Sequence, residues 1–338
     1  MVLWRRAYWA MLGAKRGAPM ARFAVVFLGF LGLLGVLPAA AQYPDRPVTL
    51  LAGYPPGGLV DVVTRTLAEA MKARFPKGIV VVNKPGAAGA LAVADITRAS
   101  TDGYTIALTP HSALVIAAQI NDVGYKTPDD YDPFANVVAY YPMIAVRSES
   151  PYQTIQDLVA DAKANPGKVR VGSPGEGTSS HLNLEELMHK TGTRMVHVPY
   201  KGWAESSPAV LGGHIEAVVA QPAELKGVVD GKRMRVLLAF HPERHPVFPT
   251  TPTARELGWD VSNGVWYLMI APKGTPAPVI KYLQESVKAA VEDPKFVESM
   301  GSKGVDADYR PGEVLRADLW REYKLHTEIL TRIGMIKK

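Results

Sequence analysis

From residue 48 onward the chain alternates short β-branched apolar runs with stretches of helical spacing. That alternation confines it to an α/β architecture, sheets with helices on their faces. VTLLA at 48–52 reads as a buried strand. The turn Tyr54-Pro55-Pro56-Gly57-Gly58 then leads into a helix over about 59–74, with Val62, Val63, Thr66, Leu67 and Ala70 at helical spacing. IVVVN at 79–83 is a second strand, and Lys84-Pro85-Gly86 turns into a small-residue helix over about 87–100. A third strand at 105–108 runs through Thr109-Pro110-His111-Ser112 into a short helix. This βαβαβ run is half of a doubly wound sheet.

A loop rich in Asp, Pro and Tyr, about 121–133, separates it from a second run. There, strands are expected at 137–139, 143–146, 169–172, 195–198, 217–220 and 236–239. Helices are expected at 155–164, 181–190, 206–211 and 223–229, the first capped by the Thr154 hydroxyl. Thr253-x-x-Glu256 fits a capping box. A strand at 265–270 is followed by helices over about 276–291, 294–300 and 313–333, which need a sheet to cover. The first run is the natural partner, so the chain is expected to cross between two lobes twice, near 140–147 and 262–267. The expected organisation is residues 42–140 plus 266–338 as one lobe and 141–265 as the other, each a mostly parallel sheet flanked by helices.

The first 41 residues stand apart. A basic stretch ending at Arg22 precedes an apolar and Gly segment, 23–37, then Pro38 and Ala39-Ala40-Ala41 before Gln42. Small residues three and one before the cut suit a signal peptidase, so residues 1–41 are expected to form a cleaved secretory signal. The apolar segment falls short of the roughly 20 residues that span a bilayer, which argues against a membrane anchor. Met20 opens a compact signal by itself and is an alternative start to Met1. The leader also explains the charge. The formal +6 comes from 38 Lys and Arg against 32 Asp and Glu, and five of the basic residues lie in the leader, which holds no acid. The rest has 33 against 32, a net of +1, with no claim on nucleic acid. There is no cysteine, hence no disulfide, thiolate metal site, cysteine nucleophile or lipid-carrying cysteine. The mature chain has no second long apolar segment and is expected to be soluble in the periplasm.

Two glycine-bearing loops stand at strand-to-helix junctions, Tyr54 to Asp61 and Gly172 to His181. Ligands of such sheets collect beyond the carboxyl ends of strands. First-turn N–H groups there point outward with partial positive charge, and glycines let a ligand approach them. A carboxylate can be held there without an arginine. Ordinary turns also need glycine, but one such loop per lobe is a stronger sign than either alone. Neither loop matches a nucleotide motif. His181, Glu185 and His189 share a helix face at spacings of four, but this is not H-E-x-x-H and lacks a further strong ligand, so no metal is expected. Asp61, at a helix start, reads as a cap or dipole partner before it reads as a general base. No G-x-S-x-G elbow is present. Tyr200, Trp203 and Trp266 are core residues or cleft walls.

Several segments recur in an order and spacing that resembles the substrate-binding proteins of tripartite tricarboxylate transporters, the TctC or Bug family. They begin with Tyr43-Pro44-Asp45-Arg46-Pro47-Val48, PPGGLVD at 55–61, NKPGAAG at 83–89 and DGYT at 102–105. They continue with GTSSHL at 177–182, VPYKG at 198–202, LGG at 211–213 and APKGTP at 271–276. The likeness covers nearly all of the mature chain. It implies a type II-like periplasmic-binding-protein fold, in which the chain crosses between lobes twice, and capture of small carboxylates for membrane subunits of the transporter. It implies that the loop of Tyr54, Gly57, Gly58, Leu59 and Asp61 holds one carboxylate group, partly through waters. Ser112 would join it from the third strand-to-helix loop. Thr178, Ser179 and Gln221 would contribute from the second lobe.

The chain departs from the family pattern at Leu59, where a smaller residue is common, at the acidic Glu176, and at the bulky Trp203. These departures argue against a simple dicarboxylate and toward a monocarboxylate, an aromatic acid or a less acidic metabolite. The expectation is therefore a monomeric solute-binding protein, not an enzyme, with no cofactor and no metal. A ligand-sensing subunit of a signalling system uses the same closure, and a periplasmic hydrolase in the same cleft is the more distant alternative.

Overall fold

The computed structural model describes residues 43–336, so the leader read above lies outside the described residues. The chain divides into a short unit ending at Asp45 and a body that begins at Arg46. The body carries two sheets. The first contains β1 (Val48–Ala52), β2 (Ile79–Asn83), β3 (Thr105–Pro110), β4 (Tyr131–Tyr140), β10 (Val265–Pro272) and β11 (Asp306–Pro311), in the order β11-β4-β10-β3-β1-β2. The second contains β5 (Met143–Arg147), β6 (Arg170–Ser173), β7 (Val196–Pro199), β8 (Ala217–Ala220) and β9 (Met234–Ala239), in the order β7-β6-β8-β5-β9. The chain leaves the first sheet after Tyr140, enters the second at Met143, and returns at Val265.

The two-lobe α/β architecture holds, but the sheets are mixed, not mostly parallel. β1 runs parallel to β2 and β3, and β6 to β7 and β8. β10 runs antiparallel to β3 and β4, β11 to β4, and β5 to β8 and β9. Alternation of strands and helices reports direction only inside βαβ units, and several antiparallel pairings involve strands that carry the chain between lobes. β10 is buried at every position and lies between two strands of the sheet.

β4 starts at Tyr131, inside the segment read as a loop. Its Pro133 is tolerated because the pairing with β10 shifts register between Met269 and Ile270, where a missing N–H costs no ladder bond. β11 was not expected. It is a charged edge strand, DADYRP, a composition that blunts edge pairing and hides the strand from a hydrophobicity pattern.

Local chemistry explains the helix starts. Helix α1 (Leu59–Ala70) buries Leu59, Val60, Val63 and Leu67 on one face. It is followed by α2 (Ala90–Arg98), α3 (His111–Val115) and α4 (Ala117–Ile120). In the second lobe Thr154 caps α5 (Ile155–Ala164): its Oγ1 accepts the Asp157 N–H at 3.2 Å while Asp157 accepts the Thr154 N–H at 2.8 Å. The same reciprocal bonds join Thr253 and Glu256, but on a single turn, because Gly258 at φ +77° ends it at once. Next come α6 (Ser179–Thr191), α7 (Trp203–Leu211) and α8 (Pro222–Asp230). The C-terminal helices α9 (Ala277–Val291), α10 (Pro294–Gly301) and α11 (Gly312–Arg332) belong to the first lobe. Leu315, Leu319 and Ile329 of α11 pack in one cluster with Leu268 and Ile270 of β10 and with Leu182 of α6. The lobes are therefore in contact, as they also are where His245 Nε2 meets the Gly304 carbonyl at 3.1 Å.

Candidate functional site

A cavity, partly open to solvent, lies between the lobes. Helices α1 and α6 start on it from opposite sides. Behind β1, Gly53 lies against Gly89, so close that a Cβ on Gly53 would fall 3.1 Å from the Gly89 Cα. That approach explains why the chain needs glycine at both points. The turn that follows is tied by Asp61. One of its oxygens accepts the Gly57 N–H at 3.1 Å, and the other accepts Arg65 Nε and Asn83 Nδ2, both at 2.9 Å. Asn83 Nδ2 also donates to the Tyr54 carbonyl at 2.9 Å. Burial opposes ionisation of Asp61, but the bonds from Arg65, Asn83 and Gly57 outweigh it and hold the carboxyl below its usual range. The N-cap of α1 is Gly58, which supplies no side-chain cap.

Across the cavity, Thr178 is the N-cap of α6. Its Oγ1 accepts the His181 N–H at 3.2 Å and donates to the Gly175 carbonyl at 2.8 Å. The first-turn amides of Ser179 and Ser180 have no partner within the helix. Ser179 Oγ lies 3.4 Å from His111 Nε2, a contact between the lobes. Of the expected site residues, Tyr54, Gly58, Leu59, Ser112, Thr178, Ser179 and Gln221 line this one cavity. Gly57 and Asp61 do not: Gly57 is the left-handed turn residue, at φ +85°, and Asp61 faces back into the turn. Trp203 is a cleft wall, whereas Trp266 stacks on His111, centroids 4.8 Å apart. Glu176 and Tyr200 line an adjoining cavity that shares Tyr54, Pro174, Lys201 and Glu205 with the first.

Sequence reasoning missed Tyr140, Tyr267 and Glu224. The two tyrosine hydroxyls meet at 2.9 Å, one from each crossing strand. Glu224 on α8 accepts the Gln221 N–H at 3.3 Å, and the Gln221 side-chain amide, oriented to satisfy its neighbours, also donates to it. The backbone at Leu59, the start of α1, also favours the charged form of this carboxyl. Glu224 lines the cavity half-buried, and loss of hydration pushes its pKa up to about 8 against those bonds. The signal that could have found it is Gln221-x-x-Glu224, a capping-box spacing just after a strand.

His181 makes no metal site with Glu185 and His189. Its ring stacks on His197 at 3.8 Å, Nδ1 accepts the Gly177 N–H, and Nε2 faces Glu185 at 3.3 Å. Among the described residues, His111, Glu322 and His326 come nearest to a metal-ligand set, with ligand atoms within 4.8 Å of one another. However, His111 Nδ1 already accepts the Trp266 N–H, and the positive charge of Arg310 acts on both His111 and Glu322. A second cation there would be repelled. Ser173 Oγ meets His197 Nε2 at 2.6 Å, but Ser173 is fully buried and does not line the cavity. Burial, then the neighbouring His181, lowers the His197 pKa to about 3.

Residues 63–319 match the profile of the tripartite tricarboxylate transporter family receptor, TctC. The chain belongs to this family. The receptor is 34% identical over 313 residues to the UPF0065 protein in the gbd 5′ region of Cupriavidus necator, covering 90% of this chain and 93% of that one. It superposes on the solved periplasmic binding protein BugD with a TM-score of 0.82 at 30% identity, over 88% of this chain and 100% of that one. MatC of Rhodopseudomonas palustris, solved with bound malate, shares the fold at a TM-score of 0.79 and 23% identity, over 85% of this chain and 100% of that one. This TctC receptor is thus a solute-binding protein of the periplasmic-binding-protein fold, and its family supports a periplasmic location.

Proposed function

We propose that this receptor closes its two lobes on a small carboxylate in the periplasm and hands it to membrane subunits of a tripartite tricarboxylate-type transporter, without chemistry. One observation carries the reading: uncommitted first-turn amides of two helices, one per lobe, converge on a single cavity together with buried hydroxyls. Such amides favour a bound anion. The site we assign is Tyr54, Gly58, Leu59, Ser112, Thr178, Ser179 and Gln221, with Gly57 and Asp61 shaping the loop and not touching the ligand. The malate carried by MatC, a protein of the same fold, supports the ligand class.

The lobes divide in this reading at the two crossings, with 42–140 and 266–338 forming one and 141–265 the other. The leader is cleaved after Ala41, and the mature receptor acts as a monomer. A ligand shifts the open–closed equilibrium only by its preference for the closed form, which requires donors from both lobes. The burial of Ser173 away from the cavity favours capture over hydrolysis.

The test is thermal unfolding of the mature receptor against a carboxylate panel. A ligand that binds only the folded state raises the melting temperature, and recovery of that ligand unchanged after long incubation separates capture from hydrolysis. Stabilisation by neutral compounds alone would refute the carboxylate reading.

A further inference from the structure

We propose that His111, which lies outside the cavity lining, is a positioning residue for ligand binding: its ring N–H donates to Ser179 Oγ of the other lobe and so commits the Ser179 hydroxyl to donating its own proton to a ligand oxygen. The inference rests on Ser179 being a ligand contact, as assigned above, and adds what orients it.

The tautomer follows from one hydrogen bond. The Trp266 backbone N–H donates to His111 Nδ1 at 3.3 Å. An imidazole nitrogen that accepts carries no proton, so the ring is neutral and its proton sits on Nε2. Burial, then the neighbouring His326, holds His111 well below the ordinary histidine range and keeps it in that form. The ring stacks on Trp266 with centroids 4.8 Å apart, and the Arg310 guanidinium lies 4.3 Å over the same indole. These neighbours fix the direction of Nε2, which meets Ser179 Oγ at 3.4 Å. The ring N–H is thus the donor of that contact and the serine oxygen its acceptor.

The consequence falls on the serine. Its oxygen receives a proton from His111, so its own proton leaves in another direction. Among the described residues the hydroxyl makes no other hydrogen bond, although Ser179 is buried and lines the cavity. A buried donor left unpaired costs about 1–3 kcal/mol, a cost that a ligand oxygen removes. A hydroxyl that accepts one bond is also polarised to donate a stronger one. In the reverse arrangement, with Ser179 donating to Nε2, the proton would be spent on the ring and the ligand would face lone pairs. His111 starts α3 in one lobe and Ser179 starts α6 in the other, so the relay is complete only when the lobes meet. At 3.4 Å the bond is long, and closure on a ligand has room to tighten it.

The first test needs no variant. Nitrogen NMR of the mature receptor, isotope-labelled at histidine, reads the tautomer: His111 should show a bare Nδ1 and a protonated Nε2 at neutral pH. A proton on Nδ1, or on both nitrogens, overturns the proposal. The second test is isothermal titration with malate, glutarate, pentanoate and benzoate, followed with whichever binds most tightly. His111→Asn keeps an acceptor near the Nδ1 position but cannot reach Ser179, whereas His111→Gln places an N–H near the Nε2 position. We expect His111→Asn to weaken binding ~10-fold, about 1.4 kcal/mol, and His111→Gln to recover most of that loss. In a Ser179→Ala background the two variants should bind alike. Both lose the stack on Trp266, so their melting temperatures should fall together while their affinities diverge, a split that a merely structural histidine does not produce. Equal affinity of the two variants, or a gap that survives in Ser179→Ala, overturns the proposal while leaving carboxylate capture standing. If neither variant folds, the tautomer decides. If no carboxylate binds, longer and aromatic homologues included, the carboxylate reading falls and this inference with it.

Discussion

At the start of α6 the N-cap is Thr178, whose hydroxyl takes the His181 N–H; at the start of α1 it is Gly58, which has no side chain to offer. Both helices begin after a glycine-bearing loop on the same cavity, yet one satisfies part of its own first turn and the other leaves that turn to outsiders. The α1 turn is instead held from behind, by Asp61 accepting the Gly57 N–H and by Asn83 and Arg65 clamping Asp61. Its amide edge stays open to the cleft, on the cavity that Glu224 lines from the opposite lobe. A self-capped start gives a rigid and smaller anion site. An uncapped start braced from its far side gives a larger one.

The largest expected effect breaks the comparison at Glu224. Its carboxyl goes from an ordinary 4.5 to about 8 on folding, so the folded state binds more protons than the unfolded state between those values. Stability is then highest at and below about pH 4.5 as far as this group is concerned, and falls as pH rises toward 8, by up to about 5 kcal/mol if the full shift is realised. Glu224→Gln should flatten that slope, as read by urea unfolding over a pH series. His197 acts in the other direction. Its folded pKa of about 3 lies below the ordinary 6.5, so its contribution is intact above 6.5 and is lost as pH falls toward 3.

Next in size is the brace. Asp61→Ala strips the acceptor from the Gly57 N–H and leaves Asn83 Nδ2 and Arg65 without their carboxylate. Unpairing such partly buried donors should cost about 2–3 kcal/mol, and it should loosen the α1 start more than the α6 start. Hydrogen exchange at residues 57–62 against 177–182 would reveal the asymmetry. Equal loss of protection at both starts would contradict it.

The unequal legibility of these regions has a physical origin. β1, β2, β3 and the helices between them were readable because a buried strand and an amphipathic helix leave periodic patterns in contiguous residues. The Thr154 cap was readable because all its partners lie within a few residues. β11 and the first turn of β4 carry charge and proline, and it is the edge position and the register shift that make them strands. In the cavity, Ser112 and Ser179 came from the family resemblance and lie in its lining, while the Thr178 hydroxyl, also given as a donor, is spent on Gly175 and His181. Tyr140 and Tyr267 meet across 127 residues of sequence. Glu224 stands at a capping-box spacing from Gln221, and only the apposition of the lobes brings it into a shared cavity.

The remaining tests separate the two starts by single atoms. Proline at Ser179 deletes one N–H at the first helical position, where the ring is tolerated and Thr178, at ψ 159°, already has the extended backbone that precedes proline. Ser179→Pro should weaken carboxylate binding by about 1–2 kcal/mol, beyond the effect of Ser179→Ala, with little change in melting temperature. Thr178→Ala should do the reverse at first instance, lowering stability by about 1 kcal/mol through the lost cap. The smallest effect is the sharpest. Gly58→Ser adds at α1 the cap that α6 already has, and a Cβ there meets nothing nearer than the Pro55 carbonyl at 3.9 Å. Stability should rise by only a few tenths of a kcal/mol. The new hydroxyl competes for the first-turn amides, so ligand affinity should fall while the protein becomes slightly harder to melt. If affinity instead rises with stability, the open edge of α1 is not what the ligand uses, and the contrast between the two helix starts loses its functional meaning.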